Sequence, residues 1–341
     1  MIQMGLFYVL MAFAFVFLLI VNMLWIGLNV YFWITSGIQT LLGDKNFIET
    51  IRFSTYLKWI LLVDSAWIII ALVFACRRKN FKTESKFHYL KYEPINNAKI
   101  CIVIPAYNEE IAIESTVTDF LRQKNVVEVI VVDNHSTDNT VSIAKSCGAR
   151  VITKQSNMGY AHSCVIGLNE SLKTDANAIV IVEGDGTCNG YDIEKMIRYL
   201  DNCDMVVGTR QLQVLSEKGN QLGMIYVWGN FFLAKLIQIK FFSLLHMGTV
   251  QLTDVGCLYR IIRKESLDSI IHRFTKPKTN EVIPNDEFTL FMTIEALKNN
   301  LRIVEVPITF KKRLGKSKIG SDKKIKAIKL GLHFLWYILK S

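Results

Sequence analysis

The sequence predicts an α/β fold built on a mostly parallel sheet, preceded by an N-terminal two-helix transmembrane hairpin. Three observations predict it. Met1 to Gly43 carry no charged residue. A second apolar run, Trp59 to Cys76, ends abruptly in Arg77, Arg78 and Lys79. From Lys99 onward, short β-branched runs alternate with helical patterns, the signature of βαβ units.

Gly5 to Ile34 is longer than the roughly 20 apolar residues a helix needs to cross a bilayer. A secretory signal fits poorly, because a basic start and a small-residue cleavage pattern are missing and the apolar core is too long. After Cys76, the cations at 77–79, with Lys82, Lys86 and Lys91, form a stop-transfer pattern that puts the following chain in the cytoplasm. The stretch between the runs holds Lys45, Arg52 and Lys58 against Asp44 and Glu49, three basic residues and two acidic, as a short external loop does. Asp64 inside the second run is costly in hydrocarbon. A place near the outer interface explains it, and a part in a lipid pathway is the functional alternative. The expected division is a hairpin over 1–76 (spans near 5–33 and 58–76), a basic juxtamembrane linker over 77–98, an α/β domain over 99–320 and a basic amphipathic interfacial helix over 321–341.

The chain of 341 residues is 51% hydrophobic with a net charge of +10. The positive surplus clusters beside apolar segments, which favours anionic lipid and phosphorylated substrates as partners over nucleic acid. Seven cysteines are scattered without metal-ligand spacing, as expected of reduced cytosolic thiols.

Within the α/β domain, strands are predicted over Lys99 to Pro105, Val127 to Asp133, Ala149 to Lys154, Ala178 to Asp185 and Asp204 to Arg210. Helices are predicted over Glu109 to Gln123, Thr137 to Cys147, Gly159 to Leu172 and Tyr191 to Asn202. Ligands of such sheets bind beyond the carboxyl ends of the strands, where this chain keeps its polar clusters. Further on, the aromatic stretch Leu222 to Leu245 suits either a helix lying on a membrane or a buried core helix. A helix over Asp286 to Asn299 and a strand over Arg302 to Phe310 then lead into Lys311 to Lys326, where eight Lys/Arg stand against one Asp.

Three clusters carry chemistry. IPAYNEE, Ile104 to Glu110, ends the first strand, with Pro105 stopping the ladder and Tyr107, Asn108 and Glu109 facing the crevice; alone it is equally a helix cap. VVDNHSTDNT ends the second with Asp133, an acceptor for a nucleotide base. VEGDGTC, Val182 to Cys188, ends the fourth. Its carboxylates Glu183 and Asp185 can converge on a divalent ion bridging a diphosphate, or form a plain turn.

In order along the chain, IPAYNEE, DNHSTDNT, NMGYAHS (Asn157 to Ser163), EGDGT and VVGTR resemble the family 2 glycosyltransferases of GT-A fold. The resemblance covers about two thirds of the chain. TDVGCLYR (Thr253 to Arg260) and EVPITFKKRLGKSKI (Glu305 to Ile319) look like the dolichyl-phosphate mannose synthase and polyprenyl-phosphate glycosyltransferase branch. The resemblance implies a Rossmann-like GT-A domain in which Pro105, Tyr107, Glu109, Asp133, Asn157 and Gly159 hold the nucleotide. It implies Mg²⁺ or Mn²⁺ at Asp185, Glu183 and Thr187. Arg210 and Asp254 would face sugar and acceptor, and Arg260, Arg313 and Lys318 would neutralise phosphates. The sequence departs from the pattern at Glu183 (usually Asp), at Thr187 (often Gln), at Cys257 and Tyr259 around Leu258, and at Leu290 and Phe291, where an acidic residue is expected; Glu287 nearby is a substitute.

A lipid monophosphate, with a second pKa of about 6, is largely dianionic at neutral pH and needs no side-chain base. His135 and His162 are accordingly expected to be loop or packing residues. The expected activity is inverting transfer of a hexose from a nucleotide diphosphate sugar, GDP-mannose first and UDP-glucose second, to a polyprenyl or dolichyl phosphate at the cytoplasmic face of an integral membrane protein. The rivals are a processive polysaccharide synthase of the same fold, which usually has a Gln-x-x-Arg-Trp segment and later spans, and a catalytically silent nucleotide-binding membrane scaffold.

Overall fold

The computed structural model describes residues 2–41, 58–66, 68–69, 92–218, 220, 223–242, 250–275, 288–315 and 324–341. The chain divides into two units, residues 1–80 with 339–341, and residues 81–338.

In the first unit, helix α1 runs Ile2–Leu41. Its stretch Val16–Ile38 is long and apolar enough to cross a membrane. The second apolar run is described, as helix, over 58–66 and 68–69, and the rest of the expected second crossing, to 76, falls outside the described residues. That part lies along α1. Trp59 stacks on Trp25 at 5.9 Å between ring centroids, and Asn22 donates to Asp64 Oδ1. Asp64 thus has a partner inside the apolar stretch, where an unpaired carboxylate is most costly.

The second unit is built on a seven-stranded sheet of order β3-β2-β1-β4-β6-β5-β7. In chain order its elements are β1 (Ile100–Ala106), α2 (Ile113–Leu121), β2 (Val126–Asp133), α3 (Thr140–Ser146), β3 (Arg150–Thr153), α4 (Tyr160–Ser171) and β4 (Ala178–Ile181). There follow α5 (Asp192–Ile197) with a 3₁₀ turn (Arg198–Asp201), β5 (Met205–Thr209), α6 (Met224–Lys240), β6 (Arg260–Arg263), α7 (Lys264–Ile271), α8 (Phe288–Lys298), β7 (Ile303–Pro307) and α9 (Lys324–Lys340). Strand β1 is buried throughout, and its side chains alternate between two cores. Ile100, Ile102 and Ile104 pack with α2 and α5, whereas Cys101 and Val103 pack with α4 and α8. That is the period-2 division a sheet covered on both faces imposes. Gly167 lets α4 lie close on the sheet: a Cβ there would sit 2.3 Å from Val103 Cγ1.

The sheet is mostly parallel, as expected, with β6 running antiparallel between β4 and β5; its four residues, two of them arginines, carry little apolar pattern to read. Other expectations are corrected. Pro105 does not stop the ladder, since β1 continues in register to Ala106 opposite Asp133. It lies beyond the last β1–β4 pair, Val103 with Ile181, where a missing N–H on that flank breaks no bond. Strand β4 ends at Ile181, so Val182 to Asp185 form the following loop. The α6 and α9 helices each bury one face: Leu233, Ala234 and Ile237 meet Phe334, Ile338 and the α8 residues Leu290 and Ile294 in a third core. The core reading therefore holds for one side of α6. On α9, Phe334 and Ile338 face this core, while Leu332 and Trp336, like Trp228 and Phe232 of α6, remain exposed.

Candidate active site

The strand-end clusters meet at one edge of the sheet, beyond the carboxyl ends of β1, β2, β4, β5 and β7. Two of them bind each other. Asn134 N donates to Ala106 O (2.8 Å), Asn108 N to Ser136 Oγ (2.9 Å), Thr137 N to Asn108 Oδ1 (2.8 Å) and Glu109 N to Thr140 Oγ1 (2.8 Å). Asn108 and His135 take left-handed backbone, with φ of 52° and 67°, which tightens both turns. Asp133 is buried and accepts the Ser136 N–H. Asn157 accepts from Asn134 Nδ2 at 2.8 Å and from Gly159 N at 3.0 Å, fixing the loop that starts α4. Pro105, Tyr107, Glu109, Asp133, Asn157 and Gly159 thus gather on one side of the crevice. Sequence reasoning missed Lys154 beside them. Its Nζ lies 3.3 Å from Gly159 O and 3.4 Å from His162 Nδ1, and burial lowers its pKa to about 8. Burial and Lys154 also lower His162.

The acid loop after β4 carries Glu183 and Asp185. Burial, then the charge of Asp185, pushes the Glu183 carboxyl up to about 8. Asp185 Oδ1 accepts from Thr187 N at 3.0 Å and Thr187 Oγ1 at 2.6 Å. Thr187 is therefore placed behind the acid, holding it. Asp185 Oδ2 lies 3.0 Å from Arg313 Nη1, and Arg313 Nη2 lies 2.6 Å from Glu109 Oε1. Main-chain bonds bring Arg313 there, Lys311 N to Thr187 O (2.8 Å) and Leu314 N to Asp185 O (3.1 Å). Gly186, at φ +77°, leaves room for Leu314, whose Cδ1 would lie 2.9 Å from an added Cβ. Lys318, Glu287 and the rest of the basic stretch at 316–323 lie outside the described residues.

The carboxylate pair suits a divalent cation. The charge of Asp185 resists ionisation of Glu183, a cation would relieve that conflict, and hard oxygens are the donors Mg²⁺ and Mn²⁺ take. Among the described residues no three His, Cys, Asp or Glu side chains form a cage. An ion completed by water and phosphate oxygens needs none.

Across the crevice, Asp254 and Arg210 form a bidentate pair, Nε to Oδ2 at 2.7 Å and Nη2 to Oδ1 at 2.9 Å. Asp254 also accepts from Gly256 N and Arg210 N. Burial works to raise its pKa, but the Arg210 charge outweighs that and holds it low. With four donors on a buried carboxylate, Asp254 is a holder of Arg210 and has no lone pair to spare as a base. Arg210 lies over the Phe310 ring at 5.3 Å.

Arg260 lies near this pair, within electrostatic reach of both Asp254 and Arg210. Its side chain is wholly buried, its Nε donates to Cys257 O at 3.1 Å, and neither terminal nitrogen has a hydrogen-bond partner among the described residues. Burial lowers its pKa to about 10. It stands at the start of β6, opposite Ile181 at the end of β4 and Val207 of β5, and within electrostatic reach of Tyr160 as well. Leu290 and Phe291, where an acid was expected, are buried apolar residues of α8.

The model of the family described as Glycosyl transferase family 2 matches residues 101–271. Among curated relatives, glycosyltransferase AglJ of Haloferax volcanii is 26% identical over 68% of this chain and 68% of its own. The polyprenol monophosphomannose synthase of Mycolicibacterium smegmatis is 25% identical over 65% of this chain and 81% of its own. Among solved structures, glucosyl-3-phosphoglycerate synthase of Mycobacterium tuberculosis, in complex with Mn²⁺, UDP and phosphoglyceric acid, is similar in fold. It matches with a TM-score of 0.51 at 17% identity, over 71% of this chain and 78% of that one.

Proposed function

The chain belongs to glycosyl transferase family 2, and from that premise we propose that it moves a hexose from a nucleotide diphosphate sugar to the phosphate of a polyprenyl or dolichyl lipid at the cytoplasmic membrane face. The observation that carries this reading is the pairing of an acid loop, Glu183 and Asp185, with two guanidiniums fixed by carboxylates, Arg313 and Arg210. Such a site can hold anions on both sides of a reacting carbon.

The nucleotide lies against Asp133, Asn157 and Glu109, its diphosphate reaching toward Asp185 and Arg313. Bound at Asp185 and Glu183, Mg²⁺ or Mn²⁺ would offset the charge that builds on the departing diphosphate. Arg210 and Arg313 add fixed positive charge at the same edge, oriented before reaction by Asp254 and by Asp185 with Glu109. A lipid phosphate oxygen attacks the anomeric carbon as its bond to the diphosphate oxygen breaks. The sugar inverts, and the nucleoside diphosphate leaves with the electron pair. The acceptor is already ionised, which agrees with an Asp254 fully engaged in hydrogen bonds. Mannose from GDP-mannose is the first donor to test and glucose from UDP-glucose the second; the mannose synthase relative supports that order.

We assign residues 1–76 to a membrane hairpin, 77–98 to a basic linker, 99–320 to the catalytic domain and 321–341 to a helix at the membrane surface. Support comes from the apolar helix Val16–Ile38 and from the aromatic residues that α6 and α9 leave exposed. The deciding experiment is a donor screen with the purified full chain, Mn²⁺ and a short polyprenyl phosphate, read by lipid mass. A hexosyl-phosphate lipid is expected. Sugar appearing only on a growing polysaccharide, or nucleotide binding with no transfer from any donor, would overturn the proposal in favour of the synthase or the scaffold.

A further inference from the structure

Glu305 stands on the edge strand β7, opposite Val207 of β5, and its carboxylate is spent entirely on one dipeptide of a distant loop. Thr253 N donates to Oε1 at 2.9 Å and to Oε2 at 2.8 Å, Thr253 Oγ1 to Oε2 at 2.8 Å, and Asp254 N to Oε1 at 3.0 Å. Because Thr253 gives its hydroxyl proton to the carboxylate, the 2.8 Å contact between Thr209 and Thr253 hydroxyls has Thr209 as donor. Thr209 in turn accepts from Gln211 N at 3.3 Å. The bonds form one continuous path: Glu305 fixes the Thr253–Asp254 backbone, Asp254 grips the Arg210 fork, and Thr209 and Gln211 brace the chain on either side of Arg210.

We propose that Glu305 is a positioning residue for glycosyl transfer, acting through Asp254 to aim the Arg210 guanidinium. The proposal rests on the reading of Arg210 as a substrate-facing group. An apolar side chain there would leave the Thr253 and Asp254 N–H groups without their acceptor, so the test must separate positioning from stability. A bidentate carboxylate–guanidinium pair works only when both planes are set, and backbone rotation at 253–254 would turn the Asp254 plane away from Arg210.

The test is a double-mutant cycle on the full chain in detergent, together with an NMR measurement of the Arg210 Nε–H in ¹⁵N-arginine protein. Glu305→Gln keeps the shape but turns one acceptor into a donor facing N–H groups. It is expected to lower kcat on the order of tenfold with little change in donor KM. In an Arg210→Gln background the same change should lower kcat less than twofold, and the Arg210 Nε–H should exchange faster with solvent in Glu305→Gln alone. Thr253→Val, which removes only the hydroxyl link, should act in the same direction more weakly, and it serves as the test if Glu305→Gln does not fold. Equal losses in both backgrounds, or an unchanged Nε–H exchange rate, would overturn the proposal. Faster exchange with normal transfer in Arg210→Gln would overturn it differently: Glu305 would still orient Arg210, but Arg210 would not serve the reaction, and the reading of the site would fail with it.

Discussion

The two sides of the crevice are assembled by different means. On the nucleotide side, the loops after β1 and β2 are joined by bonds between residues 28 to 31 apart, the length of one βα unit. On the other side the joints are long. Arg210 and Asp254 are 44 residues apart, Thr253 and Glu305 are 52 apart, and Arg313 reaches Glu109 across 204. The nucleotide side is thus a local product of each strand and its following turn, whereas the acceptor side exists only once the whole domain has closed. Asp185 sits where the two meet, held locally by Thr187 and from afar by Arg313.

That junction is where a single change breaks most. Asp185→Asn keeps the side-chain shape and the Thr187 bonds to one oxygen but removes the charge that Arg313 and a cation both need. Transfer is expected to fall by roughly three orders of magnitude, as when a principal electrostatic group is removed from a site, with the melting temperature within a few degrees of the parent. Near-normal turnover would show that the two sides do not work through this residue.

The contrast also explains what the sequence made legible. Asp133, Glu183, Asp185 and Asn157 each follow a strand whose apolar run is readable, so their convergence could be deduced from the βαβ pattern. Pro105 was misread because its effect depends on where the neighbouring β4 stops. Strand β6 was missed since RIIR gains its place from β4 and β5 on its flanks, not from its own pattern. Arg260 was picked out by motif, while its full burial at the start of β6 shows only in the fold. Glu305 opened a recognised motif without showing its role, because it holds a loop 52 residues away, and Lys154 owes its character to burial beside Gly159 and His162.

A second change isolates the packing of the nucleotide side. Gly167 of α4 faces Val103 of β1 and Val132 of β2, and an added Cβ would meet their methyl groups at 2.3 and 3.0 Å. Gly167→Ala must push the helix off the sheet or force both valines from their rotamers, at a cost of about 1–3 kcal/mol. The expected outcome is a lower melting temperature with unchanged nucleotide affinity in the molecules that remain folded. If affinity fell as well, the nucleotide loops would depend on the α4 position more closely than their own bonds to one another suggest.

The smallest expected effect tests whether the nucleotide side has an electrostatic character of its own. Burial lowers the Lys154 pKa from 10.5 to about 8, with Cys164 and Asp133 opposing the shift. The folded chain therefore prefers the neutral amine, while the unfolded chain keeps its proton up to the ordinary value. Between about pH 8 and 10.5 the unfolded state binds more protons, so this group's contribution to stability rises with pH across that window. It is fully present above it and is lost as pH falls through 8. Other lysines, tyrosines and thiols titrate in the same range, so the quantity to measure is the difference between the parent and Lys154→Met. Stability curves of the two should converge toward pH 10.5 and separate below 8, with the variant the more stable at neutral pH. Parallel curves across the window would mean that Lys154 is solvated and charged in the folded protein, and that the pocket beside Asp133 is wetter than its burial implies.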